Sequence, residues 1–181
     1  MAKRKLRSGS KREILGEGKY LRLVREGRWE IAERTSATGA VAIIALTADR
    51  RLVLTEQLRS AVGQPVIDVA AGLVGDEPNH HGEALAETAR RELLEETGYD
   101  AKRLTHLVDC PSSPGLTSEI VSYFLAKNVR KVEDGGGVGH EAIIVHTPSL
   151  RTIRPWLAKQ VAAGKLVDVK VYLALYFAAR R

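Results

Sequence analysis

Between Glu83 and Tyr99 the chain reads Glu-Ala-Leu-Ala-Glu-Thr-Ala-Arg-Arg-Glu-Leu-Leu-Glu-Glu-Thr-Gly-Tyr, and this stretch constrains the fold more than any other. Strong helix formers run through it, and Gly98 supplies a residue suited to the left-handed position just past a helix C-terminus. At about 100° per residue, Glu92 and Glu96 share an azimuth with Leu85 and Ala89, the stripe expected to face a core. Glu95 stands at the edge of that stripe. Three carboxylates therefore crowd the last two turns, where the helix dipole favours cations. Glu92 and Glu96 also repel one another at i, i+4, by roughly 0.2–0.5 kcal/mol. A charged amphipathic helix, with pairs such as Glu87/Arg91 and Arg91/Glu95, leaves the inward Glu92 and Glu96 unexplained. A positive group must sit against that face, and a hard divalent cation with oxygen ligands is the simplest candidate.

The segment Arg91-Glu92-Leu93-Leu94-Glu95-Glu96-Thr97-Gly98-Tyr99, with Glu83 eight residues before Arg91, resembles the Nudix box, Gly-x5-Glu-x7-Arg-Glu-U-x-Glu-Glu-x-Gly-U with U apolar. Every position from the first Glu onward matches, Tyr99 filling the last U loosely. The departure is at the front: Gly72, the natural opening glycine, is separated from Glu83 by ten residues instead of five. Asp76 to His81 is read as the region of a five-residue insertion in the loop before the helix.

At 181 residues the chain is long enough for one domain with a substantial core. The formal net charge of +6 misleads, because Lys3, Arg4, Lys5, Arg7, Lys11 and Arg12 supply six positive charges in the first twelve residues. The remainder is neutral, so the basic balance does not mark the whole domain as a nucleic-acid binder. Residues 1–18 are expected to be a basic, flexible segment, a solvated tail or an arm for an anionic partner such as RNA. No apolar run approaches the ~18–20 residues of a membrane span. No signal-like core follows the basic start, and the single Cys110 cannot form an internal disulfide. A cytoplasmic protein is expected, with Cys110 buried and inert.

The remaining pattern is that of an α/β chain. Leu21 to Glu33 alternates, and Ala40 to Leu46 reads as a buried strand. Leu52 to Gln57, Val66 to Val69 with Ala70 to Val74, Thr105 to Asp109, Ile120 to Ala126 and Glu141 to His146 read as further strands. Glu133 to Gly139 reads as a flexible glycine-rich loop, and helices are expected over Ser149–Ala163 and from Asp168 onward. Strands before and after an enclosed helix, with a final helix covering the sheet, predict an α/β/α sandwich with a mixed sheet over 19–181. The Nudix resemblance implies the same fold.

The resemblance also assigns roles. Glu92, Glu95 and Glu96 match the metal-binding glutamates, for Mg²⁺ or alternatively Mn²⁺, and Arg91 would orient one of them through a bidentate pair. The Ala71 carbonyl would be a backbone metal ligand, and Glu83 would bridge near the helix start. Gln57-Leu58-Arg59 followed by Asp68-Val-Ala-Ala71-Gly72 resembles an arrangement in ADP-ribose and nucleoside-diphosphate-sugar pyrophosphatases. Arg59 then becomes a phosphate clamp, the alternative being an exposed strand-end arginine, and Asp68 stands where those enzymes carry a glutamate. Ser113-Pro114-Gly115-Leu116-Thr117-Ser118-Glu119 resembles the Ser-Pro-Gly segment of the same branch, a stiff loop suited to lining a pocket. Glu141 matches a catalytic or metal-binding glutamate in a loop, with His140, Glu133 and Asp134 as alternatives and a plain strand-edge acid as the other reading. Trp29 either stacks on the base or packs in the core. His80 and His81 read as solvated loop residues or metal ligands.

The implied activity is metal-dependent hydrolysis of the diphosphate of ADP-ribose or a nucleotide sugar, giving a nucleoside monophosphate and a sugar phosphate. The resemblance further implies a homodimer, with strands at about 19–35 exchanged between partners. The alternatives are a hydrolase of nucleoside triphosphates or dinucleoside polyphosphates, and a non-catalytic module binding nucleotide or RNA. The intact Glu92, Glu95 and Glu96 set argues against the last, because a binding module has no use for three mutually repelling acids.

Overall fold

A computed structural model describes residues 11–75, 80, 82–137 and 142–179. Its centre is β4 (Gly39–Thr47), whose residues Ala40 to Ala45 are all buried. Alternate side chains of this strand enter two different cores. Ala40, Ala42 and Ile44 belong to one, and Val41, Ile43 and Ala45 to the other. That is why the run is continuously apolar: both faces of the strand are covered, so neither can be polar. Each fully buried Val or Ile here contributes about 1.5–3 kcal/mol.

The sheet around β4 has nine strands. β5 (Leu52–Arg59), β6 (Gln64–Asp68), β7 (Ala70–Val74) and β10 (Ile120–Lys131) join it with β8 (Tyr99–Asp100), β9 (Leu104–Pro111), β11 (Ile144–His146) and β12 (Leu166–Val167). The path β12-β6-β5-β4-β10-β8 forms the frame, with β11 on β5, β7 on β4 and β9 on β10. β4 and β10 run parallel, as do β6 and β12, whereas the other pairs are antiparallel. Helix α1 (Leu85–Thr97) contributes Ala89 and Leu93 to one core. On the opposite face α2 (Ile153–Ala162) contributes Ile153 and Leu157, and α3 (Val169–Ala179) contributes Val171 and Ala174. The expected α/β/α sandwich with a mixed sheet is present.

Several expected boundaries move. Of the described residues of the strand expected at Glu141–His146, Ile144–His146 form β11, and the helix expected at Ser149–Ala163 begins at Ile153, after a bridge between Arg51 and Ser149. Leu85 is corrected: it shares the azimuth of Ala89 but lies in the first turn and is 40% exposed. The buried side of α1 is Thr88, Ala89, Leu93, Glu96 and Thr97.

The alternating region before β4 divides into β2 (Leu21–Glu26) and β3 (Trp29–Arg34). With β1 (Arg12–Glu17) these form a separate three-stranded antiparallel sheet. The basic segment thus ends in a strand, and residues 1–10 lie outside the described residues. This small sheet meets the Ser-Pro-Gly segment: the Ala32 N–H donates to the Leu116 carbonyl at 2.8 Å, and Arg34 pairs with Glu119 at 2.5 Å.

Candidate active site

The second half of α1 lies against β7, and the contact is made by carboxylates. Glu96, 7% exposed, accepts a hydrogen bond from the Ala71 N–H at 3.1 Å. One turn earlier the Glu92 carboxylate rests on Gly72, where an added Cβ would lie 2.0 Å from Cδ and 2.3 Å from Oε1. Only a residue without a side chain admits Glu92 at this point. Gly72 thus sets how closely Glu92 approaches β7, and residues 76–79 and 81 of the expected insertion lie outside the described residues.

Arg91 is the cation of this face. One of its terminal nitrogens lies 2.9 Å from both Glu92 Oε1 and Glu95 Oε2, and its other side reaches Glu83 Oε2 at 3.4 Å. The expected bidentate pair with one carboxylate is replaced by contacts to three. Glu83 is held from a second side by the Thr88 hydroxyl, which donates at 3.0 Å. Burial works against the Arg91 charge, but Glu92 and Glu95 outweigh it and hold the guanidinium pKa above its ordinary value. The arginine is a permanent positive charge here.

Three carboxylates contact this single guanidinium, and Glu96 on the same helix adds a fourth negative charge beside them. Among the described residues no three acidic, His or Cys side chains already share one ligand centre. The donor chemistry nevertheless fits a hard divalent cation, being all oxygen and more negative than one arginine neutralises. Glu92, Glu95 and Glu96 are the side chains that would hold it. Ala71 lies beside them through its bond to Glu96.

The C-terminus of α1 receives no basic side chain in its last turn. Backbone donors from the glycine-rich segment supply what is missing. The Gly137 and Gly136 N–H groups each donate at 3.0 Å, to the carbonyls of Glu95 and Glu96 respectively, and the Val132 N–H donates to the Gly98 carbonyl at 2.8 Å. Gly98 has φ 72°, and a Cβ on it would fall 2.1 Å from the Glu133 carbonyl oxygen. The glycine-rich loop, where described, is irregular, and Glu133–Gly137 is hydrogen-bonded to the end of α1 and to Gly98. The side chains of Glu133 and Asp134 are exposed there. Glu141, His140, His81 and Asp76 lie outside the described residues. His80 is half-buried, and its carbonyl accepts from the Glu83 N–H at 3.2 Å.

Arg59 ends β5 with its side chain about half exposed, 3.9 Å from the Asp68 carboxylate. Asp68 is buried at the end of β6, accepting from the Val69 N–H at 2.7 Å and pairing with Lys170 at 2.9 Å. Burial pushes its carboxyl above the ordinary aspartate value, while Lys170 pulls the other way. Lys170 also pairs with Asp168 at 2.8 Å, so this cluster ties α3 to the sheet. Trp29 is 55% exposed, with the Arg28 guanidinium over its ring at 5.3 Å. Core packing of Trp29 within one chain is thereby overturned. The Ser113 carbonyl caps a turn by accepting from Leu116 and Thr117 N–H at 2.9 Å, Gly115 has open space at its Cα, and Glu119 is engaged by Arg34. Cys110 packs half-buried against the α2/α3 core.

One polar cluster has no counterpart in the sequence reading. Glu56, 7% exposed, is contacted at 2.7 Å by both His146 Nε2 and Lys165 Nζ. Burial alone would raise its carboxyl, but hydrogen bonds from Lys165 and His146 hold it below the ordinary glutamate value. Its partners stand 90 and 109 residues away, and no local pattern in β5 marks Glu56 apart from the neighbouring polar Thr55 and Gln57.

The NUDIX domain profile matches residues 37–165. The chain is 34% identical over 106 residues to a methanol dehydrogenase activator from Bacillus methanolicus, covering 59% of this chain and 55% of that protein. It is 38% identical over 98 residues to an ADP-ribose pyrophosphatase from Bacillus subtilis, covering 53% and 49%. A GDP-mannose pyrophosphatase from Klebsiella pneumoniae is 29% identical over 145 residues, covering 75% and 70%. The chain thus spans about half the length of the first two curated relatives. The crystal structure of an ADP compounds hydrolase superposes with a TM-score of 0.66 at 19% identity, covering 94% of this chain and 90% of the other, and shares its fold.

Proposed function

The chain belongs to the Nudix family, and on that premise we propose that it hydrolyses the diphosphate of ADP-ribose or a nucleoside-diphosphate sugar. The products are a nucleoside monophosphate and a sugar phosphate. The observation that carries this reading is the carboxylate face of α1, built around Arg91 and seated on Gly72. Relatives named ADP-ribose pyrophosphatase and GDP-mannose pyrophosphatase support the substrate class.

A diphosphate repels an anionic nucleophile, so its hydrolysis needs charge neutralisation and a positioned water. A divalent cation, Mg²⁺ or Mn²⁺, held by Glu92, Glu95 and Glu96 with the Ala71 carbonyl, would neutralise that charge and make water more acidic. Arg91 keeps these carboxylates in place, with Glu83 as its outer anchor. Arg59 would clamp a phosphate as a fixed positive charge. The loop with Ser113 and Gly115 would line the pocket, with Asp68 and Glu119 supporting Arg59 and the loop. Trp29, exposed at the start of β3, is free of the core and able to stack on a base. Glu141 is the candidate base, taking the proton of the attacking water as the new P–O bond forms and the bridging P–O bond breaks.

A homodimer is part of this reading. Ile14, Leu21, Leu23 and Trp29 of the small N-terminal sheet are 40–55% exposed, an apolar set that a second copy would cover. Among the described residues no helix is long and apolar enough to cross a membrane. The cytoplasm is the proposed setting.

The test is a panel of ADP-ribose, GDP-mannose, UDP-glucose, diadenosine polyphosphates and nucleoside triphosphates with Mg²⁺. Cleavage of ADP-ribose or a nucleotide sugar to two monophosphates is expected. Turnover of triphosphates or dinucleoside polyphosphates alone would overturn the substrate class.

A further inference from the structure

A cavity of about 710 Å³ opens where the sheet is interrupted beside β10. β9 pairs with β10 as far as Leu104↔Ala126, and β8 resumes at Asp100↔Arg130. Between these points the edge of β10 is unpaired by either strand, and β10 bulges between Lys127 and Val129 with Asn128 in the left-handed region at φ 55°. Asparagine tolerates that conformation better than other residues with a side chain. Leu125 lines the cavity. Lys102 and Arg103 come from the β8–β9 connection, Lys127 and Arg130 from the bulged strand.

The four cations are exposed, and among the described residues none of them forms an ion pair. The acid in the wall, Asp100, does not answer them. Arg90 of α1 already holds it by two hydrogen bonds, of 2.7 and 2.8 Å. Outside the first twelve residues the chain is formally neutral, so this is a local segregation of positive charge. Like charges gathered around a concavity raise the free energy of the empty protein and focus a field on an anion of matching size.

We propose that this cavity binds a short phosphate chain, supplied either as inorganic oligophosphate or as the phosphates of a nucleotide. Two pairs of cations from two chain segments match an extended, multiply charged anion better than a single phosphate. The concave shape favours a small ligand over a long nucleic-acid backbone. The cavity shares Asp100 with the outer groove of α1, which Arg90 and Arg91 also line, so an occupant would sit one ion pair away from the catalytic helix. The proposal does not depend on the hydrolase reading.

The experiment is calorimetric titration of the full chain with sodium tripolyphosphate, and separately with ATP, in EDTA so that no metal supports binding at the carboxylates. Lys127→Ala/Arg130→Ala is expected to weaken both by about tenfold or more, and Lys127→Arg/Arg130→Lys to retain most of the affinity. Glu96→Gln should bind like the wild type. Equal affinities identify the inorganic chain as sufficient; tighter ATP identifies a nucleotide as the source. In the unaltered protein, amide NMR shifts on adding tripolyphosphate should centre on residues 100–105 and 125–132. No binding, affinity unchanged in the double alanine variant, or shifts centred on Gly72 and Glu92 would overturn the proposal. So would single-stranded RNA binding through the same residues more than about tenfold tighter than either phosphate chain at equal salt.

Discussion

The Cα of Gly72 forms the floor on which the Glu92 carboxylate rests, 2.0 Å of separation being all that a Cβ would leave from Cδ. The glycine belongs to β7 and the acid to α1, so one small residue sets how closely helix and strand approach. Gly72→Ala must push Glu92 off this floor or push α1 off the sheet. Such overpacking costs about 1–3 kcal/mol. The expected outcome is a lower melting temperature and at least about a tenfold loss of kcat, with a raised Mg²⁺ requirement. A variant with wild-type metal dependence would show that the seat of Glu92 is irrelevant to metal binding.

Arg91→Lys tests whether the guanidinium orients the acids or merely balances charge. A lysine keeps the charge but cannot span Glu83, Glu92 and Glu95 at once. Activity should fall by about 10–100-fold, the usual effect of removing a group that positions metal ligands. Titrating Mg²⁺ should recover only part of it. Full activity in the lysine variant would reduce Arg91 to a counter-charge.

Glu96→Gln separates stability from function at one atom pair. The amide oxygen can still accept from the Ala71 N–H, so the fold should persist. Its metal-free melting temperature should equal or exceed that of the wild type, because repulsion with Glu92 is relieved. Hydrolysis should nearly vanish, since a neutral amide is a poorer ligand for a hard cation. Unimpaired turnover would remove Glu96 from the metal set.

The Glu56 cluster gives a pH signature away from the active site. Its folded-state pKa is lowered, so the carboxylate stabilises the fold at pH above its ordinary 4.5. That contribution is lost as pH falls below 4.5 through the folded value. The melting-temperature gap between wild type and Glu56→Gln should therefore be full near neutrality and close under acid conditions. A gap constant down to strong acid would mean that the charge contributes nothing.

Glu141→Gln distinguishes base from ligand. As a general base its loss should lower kcat by about 10²–10⁴-fold with Mg²⁺ dependence unchanged. As a ligand its loss should be recovered by raised Mg²⁺. With neither effect, Glu133 and Asp134 become the acids to test.

The pattern of α1 is readable because a helix is local: residues 83–99 contain both the periodicity that selects the conformation and the acids that gather around Arg91. The strand β4 was readable for a similar reason, since a short uninterrupted apolar run has to be covered on both faces. The three-stranded N-terminal sheet was half legible, its alternation visible but not its separation from the main sheet. Leu85 was misplaced because an azimuth does not say where along its axis a helix leaves the sheet.

The chemistry of the face is local: acids at fixed helical spacing, the arginine among them, and a glycine upstream. Helical geometry makes those relationships independent of the rest of the chain. Contacts across long separations come from the folded arrangement instead. Gly72 under Glu92, the glycine segment capping α1, Glu56 between His146 and Lys165, and four cations without an ion pair among the described residues around one gap in the sheet all depend on strand order and register. The pairing of β4 with β10 joins segments some eighty residues apart. No local periodicity encodes that pairing, because it is set by which buried faces fit together once the whole sheet has formed.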